Sequence, residues 1–171
     1  MYMMSQHDET VKNLIERLKL IRHPEGGWYR QTYVSDTLIP TSPGPSQRGS
    51  RPLATSIYFL LTNDCFSAFH RLLSDEMWYH HSGDALRIEI IHSTGRYESA
   101  LIGPANRGFE SQFCVPATSW FASCVDDGGH WGLVGCSVFP GFDFQDFELA
   151  DYNELSARYP EHKELIRAFT R

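Results

Sequence analysis

Between residues 54 and 139 the chain is one short strand-like segment after another, and this cadence limits its fold more than any other feature. The segments are Ala54–Leu61, Phe66–Leu72, Met77–His81, Leu86–His92, Tyr97–Ile102, Gln112–Val115, Ser119–Val125 and Trp131–Phe139. Gly, Pro, Asn, Asp or Ser separates most of them. Short strands with such punctuation predict an all-β sandwich or barrel. No long helical pattern lies between them, which argues against a parallel α/β sheet.

The flanks read differently. Val11, Leu14, Ile15 and Leu18 recur at helical spacing behind Asp8 and Glu9, predicting an amphipathic helix over about 8–20. Pro24, Gly26 and Gly27 then turn the chain into a strand from Trp28 to Val34. Ser35 to Pro52, rich in Pro, Gly, Ser and Thr, reads as a long irregular loop, a lid or a mobile segment. Beyond Phe147, Asp151 and Asn153 can cap a short helix, and Leu165, Ile166 and Phe169 mark a last one, within about 151–169. The expectation is a single domain over 1–171 with its β core at about 28–147.

Composition narrows the function classes. The net charge of −6 comes without basic runs, so nucleic acid is not an expected partner. The longest run of large apolar side chains, Ile57 to Leu61, is far short of the roughly 20 residues a spanning helix needs. Met1 to Thr10 has no signal-peptide pattern, and Cys65, Cys114, Cys124 and Cys136 have no paired spacing. These features predict a cytoplasmic protein with reduced thiols and no membrane contact.

The densest chemistry lies from Phe69 to Gly83. Read as two strands joined at Ser74-Asp75, it places His70 and Leu72 on one face of the first strand. Glu76, Trp78 and His80 share a face of the second. An imidazole and a carboxylate meeting in a partly apolar interior suit proton transfer. They would also supply two ligands of a metal site, with His80 as the one candidate for a third. The same residues read equally as a hydrogen-bonded core histidine and a carboxylate paired with Arg71 or Arg87. Glu25-Gly26-Gly27 reads as a functional loop or, without function, as a tight turn that needs glycine.

This segment resembles the first motif of the cupin superfamily, G-x5-H-x-H-x3,4-E-x6-G. His70, Glu76 and Gly83 match it, while Leu72 stands at the second His and Asp64 at the opening Gly. In the second motif Pro116 matches and Phe121 stands where a His would be. A closer resemblance runs through His23-Pro24-Glu25-Gly26-Gly27-Trp28, Ser56 to Leu61, Phe69-His70-Arg71, Ser74-Asp75-Glu76-x-Trp78, Val115-Pro116-Ala117, Trp120, Leu133-Val134 and Pro140 to Phe147. Together these are similar to the single-domain "cupin 5" family, a domain of unknown function. Trp78-Tyr79 and Phe121 depart from that family's usual residues.

The resemblance implies a double-stranded β-helix, or cupin jelly roll, with short terminal helices, usually as a homodimer, and similar in fold to dTDP-sugar 3,5-epimerases, auxin-binding proteins and seed storage proteins. The expected function is small-molecule binding, with proton-transfer chemistry of the epimerase or isomerase type on a sugar-like or nucleotide-sugar substrate. The expected base is His70, supported by Glu76, with Tyr58 as the acid. Phe69, Trp78, His80 and Phe121 are the expected ligand contacts. No cofactor is expected, since Leu72 and Phe121 cannot ligate a metal; the alternatives are a metal held by His70, Glu76 and His80, or a binding module without turnover.

Overall fold

The computed structural model describes residues 6–40 and 49–171. Helix α1 (Gln6–Leu18) precedes β1 (Ile21–Arg22) and β2 (Trp28–Val34). It stops before the expected residue 20 because Lys19 takes a left-handed conformation, φ 54°, and the Leu20 amide bonds back to the Ile15 carbonyl. The short strands β3 (Leu38–Pro40) and β4 (Ser50–Pro52) follow. They pair with each other, Ile39 opposite Arg51, so the 35–52 stretch is not wholly irregular as the sequence suggested. Its middle, 41–48, lies outside the described residues.

The core strands come next: β5 (Thr55–Thr62), β6 (Phe66–Leu72), β7 (Asp75–Gly83), β8 (Leu86–Ile91), β9 (Tyr97–Ile102), β10 (Gln112–Val115), β11 (Trp120–Val125), β12 (Trp131–Phe139) and β13 (Phe147–Leu149). Helices α2 (Tyr152–Arg158) and α3 (Lys163–Ala168) close the chain, with Asp151 capping α2 through the Glu154 amide.

The strands form two larger sheets with orders β1-β2-β5-β12-β7-β10 and β13-β6-β11-β8-β9, every named pair antiparallel. Consecutive strands β5, β6, β7 and β8 alternate between the sheets, the winding of a jelly roll. Alternation along each strand then fills the space between them. Phe59, Leu61, Trp78 and Val134 from one sheet meet Leu86, Ile88, Ile90 and Phe121 from the other. Burying a side chain of this size contributes about 1.5–3 kcal/mol.

The outer faces are capped by the helices. Val11, Leu14, Ile15 and Leu18 of α1 pack with Leu60 and Leu133 of the six-stranded sheet. Leu155, Tyr159 and Ile166 of the C-terminal segment pack on Phe69, Ile91, Trp120 and Ala122 of the other. Among the described residues no helix is long and apolar enough to cross a membrane.

Candidate functional site

A cavity of about 360 Å³ opens between the sheets at the end where β6 and β7 meet. His23, Glu25, His70 and Glu76 lie inside it; Tyr29, Gln31, Thr55, Ile57, Leu72, Cys136 and Val138 form walls. Phe142, Asp143, Phe144 and Phe147 make the rim.

His70 and Leu72 both line this space, as strand alternation required, and Glu76 faces it from the neighbouring sheet. Glu76 is 7% exposed and sits mid-sheet, opposite Val115 of β10 and Val138 of β12. It pairs with neither arginine suggested by the sequence. Arg71 is taken by Glu148, and Arg87 by Glu89, Asp126 and Asp127. Burial pushes the Glu76 carboxyl up to about 8; the neighbouring Glu25 pushes the same way, against the Cys136 thiol and Trp78. At neutral pH it holds its proton.

Glu25 is the site residue the sequence reading missed. It comes from the turn ahead of β2, where Gly26 has φ 120° and Gly27 φ 71°. A Cβ on Gly26 would lie 2.0 Å from the Phe66 carbonyl oxygen. The glycines bring the turn tightly against β6, where the Ala68 amide donates to the Glu25 carbonyl at 2.8 Å. The Glu25 side chain thereby enters the cavity and accepts from Ser67 Oγ at 2.9 Å.

Glu25 Oε2 lies 3.3 Å from His70 Nε2 and 3.3 Å from His23 Nδ1. The Ala68 carbonyl can only accept, so His70 Nδ1, 2.8 Å away, donates to it. A neutral His70 therefore points a bare Nε2 at Glu25. The backbone amide of Glu25 donates to His23 Nδ1 at 3.3 Å, leaving that nitrogen no proton of its own in the neutral ring. Three acceptors thus converge, and the cluster is cohesive only with a proton held among them. Burial pushes His70 down to about 4, pushes His23 down and pushes Glu25 up. All three shifts favour the proton on Glu25.

The rim is fixed from outside. The Gly141 amide donates to the Pro52 carbonyl at 2.7 Å, and the Phe142 amide to Thr55 Oγ1 at 2.9 Å. Arg51 on β4 holds Asp146 through Nε at 2.8 Å and its terminal amine at 3.1 Å. Pro140-Gly141-Phe142 thus anchors the mouth of the cavity.

The remaining expected contacts lie elsewhere. Tyr58 points to the outer face beside His81 and Arg30, because its neighbours Ile57 and Phe59 point inward. Phe69 likewise points away from His70, into the cluster under the C-terminal helices. Trp78 and Phe121 do point inward, but both are 1% exposed and belong to the core. Phe121 packs against His70, ring centroids 4.1 Å apart, and does not line the cavity. The His80 ring meets the Asp84 carbonyl at 3.1 Å, outside the cavity.

The cupin pattern would place a metal at this end of the roll, and the donor set does not fit one. Leu72 occupies a wall where a ligand would stand, Phe121 is buried behind His70, and His80 is outside the cavity. Among the described residues no three His, Cys, Asp or Glu side chains are grouped to hold a metal ion.

Two antiparallel sheets wound as a jelly roll around a pocket at one end define a cupin. The chain belongs to the Cupin_5 family, cupin superfamily (DUF985), whose pattern it matches over residues 12–150. A hypothetical protein from Leishmania major superposes with TM-score 0.85 at 34% identity, covering 93% of this chain and 97% of that one. Protein SO0799 from Shewanella oneidensis superposes with TM-score 0.80 at 42% identity, over 94% and 96%. The uncharacterized protein YML079W of Saccharomyces cerevisiae is 27% identical over 154 residues, 84% of this chain and 76% of its own length.

Proposed function

We propose that this cupin binds a small sugar-like carbonyl compound and moves protons on it, as an epimerase or isomerase does. One observation carries the reading: an acid that keeps its proton at neutral pH, Glu76, shares a small, largely apolar cavity with the Glu25–His70 pair. Paired groups whose environments set their protonation are the equipment of acid–base catalysis.

In the reactive state the shared proton moves to His70 Nε2, and Glu25 is the carboxylate. Glu25 takes the proton α to the substrate carbonyl, and the C–H electron pair forms the enolate. Glu76 returns its own proton to that carbon from the other face, or to the neighbouring carbon in an isomerisation. Solvent restores both carboxyls to their starting states. His70 acts through Glu25, because its two ring nitrogens already face Ala68 and Glu25. That arrangement also favours a second reading, ligand binding without turnover.

Solvent exchange separates the two. Aldoses and ketoses are incubated with the protein in deuterated water and followed by loss of the α-proton signal. Exchange with at least one sugar is expected, slowed about 100-fold or more in Glu25→Gln, while Glu76→Gln slows formation of the epimerised or isomerised sugar more than it slows exchange. Binding of a sugar in the cavity without exchange would establish the second reading.

A further inference from the structure

The charges around the cavity are lopsided. Two carboxyls, Glu25 and Glu76, lie inside and Asp143 stands at the rim, yet no Lys or Arg is among the described residues that line it. Arg51 is engaged with Asp143 and Asp146 and Arg71 with Glu148; Arg171, whose charge is felt at Glu25 from outside the lining, donates to the Phe66 carbonyl. A phosphate or carboxylate would enter a space with no cation to receive it. This makes a nucleotide-sugar a poor occupant.

The same inventory favours the opposite charge. Glu76 is more than nine-tenths buried and aimed into the cavity, with only a thiol and an indole pulling on its carboxyl. Two buried carboxyls in one small space cannot both ionise without a positive charge between them. The rim supplies what an organic cation prefers on its other side. Phe142, Phe144 and Phe147 stand edge to face, centroids 5.0–6.2 Å apart, and Tyr29 adds a ring to the wall. Aromatic faces attract ammonium groups through the ring quadrupole.

We propose that the cavity takes a small organic cation, an amine or ammonium compound of monosaccharide size or less, with its charge between Glu25 and Glu76 and its body against the phenylalanine rim. The proposal rests on reading this cavity as the ligand site and belongs to the second reading above, binding without turnover, since a cation that draws the proton off Glu76 removes the acid that proton transfer needs. Binding a permanent cation draws the proton off Glu76. Sharing the cavity with that carboxyl are Glu25 and His23 from the turn before β2, Tyr29 from β2, His70 from β6, Cys136 from β12 and Asp143 at the rim. Neither histidine is charged at neutral pH, so affinity for the cation rises with pH.

Three probes of one shape test this: choline, its uncharged isostere 3,3-dimethylbutan-1-ol, and the anion 3,3-dimethylbutanoate. Each is titrated into the wild type at pH 6 and pH 8.5, with the Tyr29, Phe142 and Phe147 ring resonances as the readout. Choline is expected to bind about tenfold or more tightly than the alcohol at pH 8.5. The preference should shrink at pH 6 and in Glu76→Gln, and the butanoate should bind most weakly. An alcohol that matches choline in the cavity would overturn the charge assignment and leave the ligand site standing. Tighter binding of the butanoate, or no binding of any probe, would also overturn it. Shifts confined to residues outside the cavity would sink the site reading itself.

Discussion

At the residue scale, Glu76 and His70 make stability depend on pH in opposite directions. A folded Glu76 keeps its proton up to about 8, while an unfolded glutamate loses it near 4.5. Between those values the folded state binds more protons, so stability falls as pH rises, by up to about 1.4 kcal/mol per pH unit. Folded His70 titrates at about 4 and unfolded histidine at 6.5, so its contribution rises with pH over that window. The two slopes oppose each other from pH 4.5 to 6.5, and above 6.5 the Glu76 slope is left, with Glu25 acting in the same sense. Urea unfolding should show the wild type losing about 2 kcal/mol between pH 6.5 and 8. Glu76→Gln should lose less than half of that; an undiminished fall would assign the slope to another group. His70 also has a packing role, wedged against Phe121 and Phe147. His70→Ala should cost about 3 kcal/mol by hollowing that contact and stranding Glu25. A loss well under 1 kcal/mol would contradict the buried cluster.

At the scale of elements, the turn Glu25-Gly26-Gly27 is the piece on which the site depends. Gly26→Ala places a methyl against the Phe66 carbonyl and strains a positive φ, so it should cost about 2 kcal/mol or more. Thermal unfolding checks this, and an unchanged melting temperature would mean the turn can relax away from β6. The turn also shows what a sequence can and cannot disclose. The need for glycine was legible; the destination of Glu25 was not, because its partner Ser67 is 42 residues away and reached only through the fold. The strands were legible because period-two alternation is local: Phe66–Leu72, Tyr97–Ile102 and Trp131–Phe139 stand where the residues placed them. The same alternation delivered His70 and Glu76 to one cavity. It also sends Tyr58 away from that cavity, between inward-pointing Ile57 and Phe59, and Phe69 away beside inward-pointing His70. Trp78 and Phe121 point inward, yet depth in the core is a tertiary property that alternation cannot supply. The aromatic rim follows from where the chain crosses back after β12, which no local pattern records.

At the scale of the whole molecule, helices cover part of each outer sheet face, while Tyr33, Val34, Leu38 and Leu53 remain about half exposed around β2 and the β3–β4 pair. Exposed apolar side chains are commonly covered by a second copy. Together with the family resemblance they lead us to expect a homodimer. Light scattering should give twice 19.6 kDa at micromolar concentration, and a stable monomer mass would contradict it. At the heart of its cavity this jelly roll holds a protonated acid, Glu76. Carbon-13 NMR of protein labelled at the glutamate carboxyls tests it most directly, with the Glu76 signal assigned by its loss in Glu76→Gln. A titration midpoint near pH 8 is expected. A midpoint close to the ordinary 4.5 would mean a carboxylate at neutral pH, and the proton-transfer reading would fall with it.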